Sequence, residues 1–228
     1  MYTPAITGSG VFTPSEVITN TELVVAFNAY VDIYNAENAD QIAAGELPAK
    51  DYSSEEFILK ASGIEQRYVL DKSGILDPKV MHPLLRQRGD DEPSQMAEMA
   101  LDAAQKALQA AGKNAKDVDA VICAASNLER AYPAVAIEIQ DLLEINGFAF
   151  DMNVACSSAT FGIQAAADMI RAGSIRSALV VNPEICSAHL EWRDRDCHFI
   201  FGDVATADLI ERSEDATGPY FGIKSTRC

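Results

Sequence analysis

Residues 151–162 read DMNVACSSATFG, a short apolar stretch that runs straight into a cysteine and then into an alanine-rich segment. After Cys156, apolar residues recur at the spacing of one buried helical face, and Gly173 follows where a helix would end. The residues of this face are Ala159, Ile163, Ala166, Ala167 and Ile170. The sequence therefore predicts a strand that leads into a helix opened by Cys156.

A cysteine at the start of a helix has two interpretations. The unpaired N–H groups and the positive end of the helix dipole favour an anion there, which increases the fraction of reactive thiolate. Unpaired cysteines are also among the most buried residue types, so an ordinary core cysteine would fit the same pattern. The strand and helix alone leave both interpretations open.

Strand and helix patterns alternate along the rest of the chain. They predict strands at residues 5–12, 119–125, 148–154, 177–181 and 204–210, and helices at 21–30, 94–111, 134–143 and after Cys156. Periodicity fades, and charge, glycine and proline accumulate, near residues 32–54 and 71–92. We interpret these two stretches as insertions in a layered α/β fold.

The composition bounds the class of protein. With 228 residues, 48% of them hydrophobic, the chain can bury a sizeable core in one large or two small domains. No apolar run approaches the ~20 residues that span a bilayer, and the N-terminus lacks a signal-peptide pattern. We therefore expect a cytoplasmic protein that does not associate with a membrane.

Cysteine usage and charge exclude further classes. Five cysteines without paired spacing argue against a disulfide framework and against a zinc site, so no metal is expected. The formal charge of −16 argues against a nucleic-acid partner, because phosphate binding needs clustered lysine and arginine. It would also oppose an acidic partner unless a local basic patch were present.

Several segments, in a fixed order around Cys156, resemble the ketoacyl-ACP synthase III branch of the thiolase superfamily. They are ITGSGVFTP (6–14), TNTEL (19–23), SGIEQR (62–67), DAVICAAS (119–126), YP (132–133), ALVV (178–181), DR (194–195) and FGD (201–203). The resemblance covers most of the chain. It implies a thiolase-like layered fold (αβαβα), of which this chain supplies mainly the N-terminal half as residues 1–218, with 219–228 as the start of the C-terminal half.

The resemblance also implies an activity. Cys156 would accept the acyl group of an acyl-CoA, and a decarboxylative Claisen condensation with a malonyl thioester would follow, in fatty acid biosynthesis. No cofactor is implied beyond the coenzyme A thioesters themselves, an acyl carrier protein is a candidate partner, and a homodimer is expected. The family carries its activating His and Asn on the C-terminal half, so residues 1–228 alone are expected to be inactive in condensation.

Two alternatives remain at this point. One is a non-catalytic subunit that pairs with another thiolase-fold chain. The other is simple acyl transfer or head-to-head condensation of two acyl-CoA molecules, in which a glutamate acts as the base. Glu129 is the candidate for that base, although a solvated loop carboxylate fits the sequence as well.

Four aromatic or basic residues acquire substrate-binding roles from the resemblance alone. Phe201 matches an aromatic gate beside the acyl chain, although it could equally be a core residue. Arg195 matches an arginine that binds the nucleotide end of coenzyme A, against a charged surface loop. Phe57 falls near the aromatic residue that stacks on adenine, and Tyr132 near one that reaches across the dimer interface.

The three histidines do not match the family's catalytic histidine. We weigh His198 as a local base, but interpret His198 and His189 as surface or loop residues and His82 as solvated in an insertion. The sequence also departs from the family at GDVATA (202–207), where two glycines are lost, and directly after Cys156. These departures bear on the identity of the substrate.

Overall fold

The computed structural model describes residues 2–89 and 91–226, and it contains eight strands and six α-helices within those residues. In chain order they are β1 (Pro4–Phe12), β2 (Glu16–Thr19), α1 (Asn20–Glu37), α2 (Ala39–Ala43), α3 (Glu55–Ser62), β3 (Gln66–Val69), α4 (Gln95–Ala111), β4 (Ala120–Ala124), α5 (Val135–Leu142), β5 (Phe148–Met152), α6 (Ser158–Ala172), β6 (Ser177–Ile185), β7 (Asp203–Arg212) and β8 (Phe221–Gly222). No helix of the described residues is both long and apolar enough to cross a membrane.

The chain divides into two compact units. The first unit comprises Met1–Thr13, Arg88–Glu184 and Val204–Cys228, and the second comprises Pro14–Gln87 and Ile185–Asp203. The predicted boundary between residues 218 and 219 remains a prediction. Of the last ten residues, 221–222 form β8, and 227–228 lie outside the described residues.

A six-stranded mixed sheet organises the first unit. Its strand order is β5-β4-β6-β7-β1-β8, with β4 parallel to both β5 and β6, and β1 antiparallel to both β7 and β8. Helix α6 packs its Ala166 and Ile170 against strand residues such as Ile122 and Val180. Strand β5 forms one edge of the sheet and leads directly to Cys156.

Helix α4 follows the predicted pattern closely. Ser94 caps its N-terminus by accepting the Ala97 N–H at 3.1 Å, and Gly112 ends it in a left-handed conformation with φ of 66°. One face of the helix, which includes Met96, Ala100 and Ala107, is buried. The helix packs so closely on β1 that a Cβ atom on Gly10 would lie 2.0 Å from the Ala103 carbonyl oxygen, which explains this glycine in the opening strand.

The second unit combines a two-stranded antiparallel sheet, formed by β2 and β3, with the helices α1 to α3 that connect them. Its core comprises Ile18, Leu23, Phe27, Val31, Ile58, Val69, Ile75, Met81, Leu190, Trp192 and Phe199. The sequence patterns predicted neither β2, β3 nor α3. These elements have at most eight residues each, too few to show a clear period.

Two elements extend well beyond their predicted ends. Helix α1 continues to Glu37 and is followed by α2, so the predicted insertion at 32–54 is partly helical. The last turns of α1 are held because the Asn35 side chain exchanges two hydrogen bonds with the Lys50 backbone, at 2.9 and 3.0 Å. Strand β6 continues through Pro183 to Ile185 instead of ending at residue 181. The described residues of 71–92 contain no helix or strand, in agreement with the loss of periodicity there, and the interpretation of this stretch as an insertion stays a prediction.

Candidate active site

Cys156 lies in a tight turn between β5 and α6. The strand ends at Met152 and the helix begins at Ser158, so the cysteine precedes the first helical residue by two positions. Ala155, directly before it, has φ of 49°, a left-handed conformation that a residue with a Cβ atom rarely adopts. Residues 153–157 are all exposed, so Cys156 is accessible and is not a core cysteine.

Side chains at both ends of the turn bond to its backbone. The Ser158 hydroxyl accepts the Val154 N–H at 2.9 Å and donates to the Ala155 carbonyl at 2.7 Å. The Asn153 side chain accepts the Ala155 N–H at 3.0 Å and donates to the Ser126 carbonyl at 2.8 Å. Asn153 and Ser158 carry no periodic or capping signal in the sequence, since both side chains bond within the turn.

The other described cysteines are in different environments. Cys123 is buried in β4, and burial raises the pKa of its thiol well above the ordinary value, with a further contribution from the Asp151 carboxylate. Burial also raises the pKa of Cys197, and both Cys197 and Cys186 are partly buried. Cys156 is therefore the exposed thiol among the described residues, and Cys228 lies outside them.

Asp151 ties β5 to α5 on the strand that leads to the turn. Its carboxylate accepts the N–H groups of Val135 and Ala136, at 2.9 and 2.8 Å, and so caps a helix whose own N-cap residue is an alanine. Burial nevertheless raises the pKa of Asp151, against the lowering effect of these two bonds. The carboxylate thus stabilises the start of α5 beside the sheet edge.

Glu129 and Tyr132 lie in the loop between β4 and α5. The Glu129 carboxylate accepts the Met96 N–H at 3.1 Å, which places it at the N-terminus of α4, where the helix dipole stabilises negative charge. Tyr132 is 92% exposed and contributes nothing to the core of this chain.

Arg195 and Phe57 are in contact in the second unit. The guanidinium carbon of Arg195 lies 3.8 Å from the centroid of the Phe57 ring, in the geometry of a cation–π interaction, and its Nε donates to the Tyr52 carbonyl at 2.8 Å. Phe201 is 46% exposed and is therefore not a core residue. Arg195 and Phe57, the two residues predicted to bind the nucleotide end of coenzyme A, are thus in contact in the structure.

An open cleft of about 670 Å³ lies in the second unit beside Arg195. Aromatic residues of α1, a segment at residues 50–51 and the loop at 191–196 form its walls: Phe27, Tyr30, Tyr34, Lys50, Asp51, Glu191, Arg193, Asp194, Arg195 and Asp196. Its volume falls in the range of small-molecule sites.

The Gly202–Asp203 pair has a structural role in the second unit. A Cβ atom on Gly202 would lie 2.5 Å from the Tyr68 carbonyl oxygen, so only glycine fits there. The Asp203 carboxylate accepts the N–H and the hydroxyl of Ser187, at 2.8 and 2.7 Å, and the Leu70 N–H at 2.8 Å. These bonds fix the segment that carries Phe201, while burial raises the pKa of Asp203.

His198 lies in a loop, as one of the two predicted placements had it, but it is not a surface residue. Its ring is fully buried, stacks on Phe27 with 4.4 Å between ring centroids and lies 3.0 Å from the Asp194 carbonyl oxygen. Burial lowers the pKa of His198 to about 4. An enclosed imidazole cannot reach a substrate, whereas His189 and His82 are exposed, as the sequence indicated.

Comparison with known proteins relates the chain to one enzyme family. Residues 150–225 match the family model for 3-oxoacyl-[acyl-carrier-protein (ACP)] synthase III. The chain is 56% identical over 203 residues to a beta-ketodecanoyl-[acyl-carrier-protein] synthase of Pseudomonas aeruginosa, covering 89% of this chain and 58% of that protein. It is 34% identical over 222 residues to a beta-ketoacyl-[acyl-carrier-protein] synthase III of Granulibacter bethesdensis, covering 97% of this chain and 55% of that protein.

Solved structures support the same relationship. The crystal structure of 3-oxoacyl-[acyl-carrier-protein] synthase III from Aquifex aeolicus matches with a TM-score of 0.69 and 26% identity, over 93% of this chain and 55% of that one. The mixed sheet and its helices thus form the thiolase-like α/β fold that the sequence predicted. The chain spans about half the length of the relatives it matches.

Proposed function

Since this chain is a synthase III-like condensing enzyme of the thiolase superfamily, we propose that it carries the nucleophile of an acyltransferase that condenses an acyl-CoA with a malonyl thioester. The exposed Cys156, in a turn with a left-handed residue before it, is the observation that carries the proposal. Strained conformations of this kind cluster at reactive sites.

The first step is acyl transfer to Cys156. The thiolate Sγ attacks the thioester carbonyl carbon, the new C–S bond replaces the old one, and coenzyme A leaves as its thiol after taking up a proton. The stacked Arg195 and Phe57 would bind the nucleotide end of coenzyme A, and the exposed Phe201 would contact the acyl chain. The guanidinium and the ring are in direct contact, so adenine would displace the Arg195 side chain from the Phe57 ring in order to stack between the two planar groups.

The second step forms the new carbon–carbon bond. The malonyl thioester loses carbon dioxide, the resulting carbanion attacks the acyl carbonyl, and the Cys156 thiolate is released. This step needs donors that stabilise an enolate, which the family supplies as His and Asn from the part of its fold that follows. Residues 1–228 alone should therefore complete the first step and not the second.

The name of the 56% identical Pseudomonas aeruginosa relative indicates a chain length. A ketodecanoyl product contains ten carbons, of which malonyl condensation supplies two, so its acyl donor carries eight. We extend this preference to the present chain. Malonyl-ACP is the proposed second substrate. We also propose that the reaction takes place in the cytoplasm, as part of fatty acid biosynthesis.

A homodimer completes the proposal. Strand β5 is an edge strand whose Phe148 is 45% exposed, and an apolar strand edge invites pairing with another copy. The 92% exposed Tyr132 is free to reach toward a partner subunit. Head-to-head condensation is less well supported, because the carboxylate of Glu129, its candidate base, is bonded to the N-terminus of α4.

An acylation assay tests the first step. Acyl-CoA thioesters of graded length are incubated with the protein and with Cys156→Ala, and intact and peptide masses are followed over time. We expect acylation of Cys156 with a maximum rate for octanoyl-CoA and none in Cys156→Ala. Acylation of another cysteine at the same rate, or no acylation by any thioester, would refute the proposed function.

A further inference from the structure

The hydroxyl of Ser158, the first residue of α6, bonds backwards to the turn before the helix. It accepts the Val154 N–H and donates to the Ala155 carbonyl, so both of its bonds lie within the turn that carries Cys156. Ser158 is 3% exposed, and its neighbour Ser157, the N-cap residue of α6, makes no side-chain capping bond. Ser158 therefore closes the turn and does not cap the helix.

The two backbone groups that Ser158 binds, the Val154 N–H and the Ala155 carbonyl, lie on either side of the φ torsion of Ala155. Its φ of 49° is disfavoured for a residue with a Cβ atom, and glycine would adopt it freely. Such a conformation persists only where surrounding bonds determine it. The Ser158 hydroxyl supplies two of these bonds, and the Asn153 side chain supplies a third through the Ala155 N–H.

Asn153 also connects the turn to the sheet. Its side-chain amide donates to the Ser126 carbonyl at 2.8 Å, and Ser126 in turn donates from its N–H and its hydroxyl to the two Glu184 carboxylate oxygens, at 2.5 and 2.7 Å. Ser126 follows the end of β4, and Glu184 belongs to β6. The turn is thus tied to the ends of two parallel strands of the sheet.

We propose that Ser158 and Asn153 are positioning residues that hold Ala155 in its left-handed conformation and so fix the direction in which Cys156 presents its Sγ atom. Neither side chain touches the reacting atoms; both act through the backbone of residues 154 and 155. The proposal rests on the proposed function, because the step it serves is attack of Sγ on a thioester carbonyl. Misplacement of a nucleophile lowers the maximal rate of such a step and has less effect on how tightly the substrate binds.

Three variants and one matched control test the proposal. Ser158→Ala removes both hydroxyl bonds, Ser158→Thr keeps a hydroxyl at the same place, and Asn153→Ala removes the exposed tether in case Ser158→Ala does not fold. Ser157→Ala is the control, since it makes the same change one residue away, where the side chain makes no capping bond. Circular dichroism and the thermal midpoint establish that each variant is folded.

Two readouts are measured on the folded proteins. The first is the rate of Cys156 acylation against octanoyl-CoA concentration, which separates the maximal rate from the half-saturating concentration. The second is the rate of Cys156 alkylation by iodoacetamide at neutral pH, which does not require a thioester. We expect Ser158→Ala and Asn153→Ala to lower the maximal acylation rate by about tenfold or more with half-saturation unchanged, Ser158→Thr to recover most of it, and Ser157→Ala to match the unchanged protein.

The two readouts separate failure of this proposal from failure of the proposed function. If Ser158→Ala and Asn153→Ala fold and keep the original rates of both acylation and alkylation, the positioning role is wrong. If no thioester acylates the unchanged protein, the proposed function fails. In that case, a threefold or larger fall in the rate of Cys156 alkylation in Ser158→Ala and Asn153→Ala, but not in Ser157→Ala, would still support positioning. An equal loss in Ser157→Ala would show a general disturbance of the helix start and would also overturn the proposal.

Discussion

The Arg195 guanidinium carbon lies 3.8 Å from the centroid of the Phe57 ring. If this pair binds the nucleotide end of coenzyme A, Arg195→Ala removes the contact of the guanidinium with the adenine ring. A cation–π contact contributes about 1–2 kcal/mol, so the half-saturating octanoyl-CoA concentration for Cys156 acylation should rise by about tenfold. Octanoyl-pantetheine lacks the nucleotide, so its reaction should not change.

The matched control for this first prediction is Arg176→Ala. Arg176 is an exposed arginine of the first unit that is bonded to Asp215. An equal effect of Arg195→Ala on octanoyl-CoA and octanoyl-pantetheine would exclude nucleotide binding by Arg195.

The four cysteines within the described residues should differ in their rate of alkylation. We expect iodoacetamide to modify Cys156 first, Cys186 and Cys197 more slowly, and Cys123 last, because Cys123 is buried and its thiol pKa is raised well above the ordinary value. Peptide mass spectrometry at short reaction times measures this order on the folded protein. The unfolded protein in urea is the control, where the rates should converge. Modification of Cys123 or Cys186 before Cys156 would contradict the assignment of the nucleophile.

The strand and helix around Cys156 could be predicted from the sequence, because apolar residues recur at helical spacing along α6 and a glycine follows its end. Helix α4 was predicted from the same two signals. The sequence misplaced the cysteine by two residues, because a turn held by the side chains of Asn153 and Ser158 has no periodic signature. It did not show the burial of His198, which lies in a charged loop segment but stacks on Phe27 in the interior. Burial of such a residue depends on tertiary packing, which local polarity does not reveal.

His198 should make the free energy of unfolding depend on pH. Its pKa of about 4 in the folded protein lies below the unfolded value of about 6.5, so the unfolded chain binds more protons between these two values. This contribution to stability is therefore fully present above about pH 6.5 and is lost as the pH falls toward 4. Between about pH 7 and pH 4.5 it amounts to about 2 kcal/mol.

A non-titrating variant isolates the effect of His198. Urea unfolding of His198→Gln at both pH values should show a loss of stability on acidification that is smaller by about this amount. The raised pKa values of Asp151 and Asp203 act in the opposite direction, but they are common to both proteins. An identical pH dependence in the two proteins would show that His198 is not buried in its neutral form.

The exposed edge of β5 should mediate dimer formation. Phe148→Glu introduces a charge at a side chain that is 45% exposed and should convert a dimer at micromolar concentration into a monomer, as measured by sedimentation. Val25→Glu is the matched control, because Val25 is an apolar side chain of α1 that is 67% exposed. A monomer before any substitution, or dissociation by the Val25 variant alone, would count against pairing through β5.

The last prediction separates acyl transfer from condensation. The enolate formed by decarboxylation needs donors, and loss of one such donor alone lowers the rate by a factor of about 100 to 1,000. A protein of residues 1–228 should therefore accept an octanoyl group on Cys156 but form no detectable 3-oxoacyl product with malonyl-ACP. A version extended to the length of its relatives should do both, and Cys156→Ala in that version should do neither. A comparable yield of 3-oxoacyl product from the short and the extended proteins would show that residues 1–228 hold their own enolate donors, and the assignment of those donors to the remaining part of the fold would be wrong.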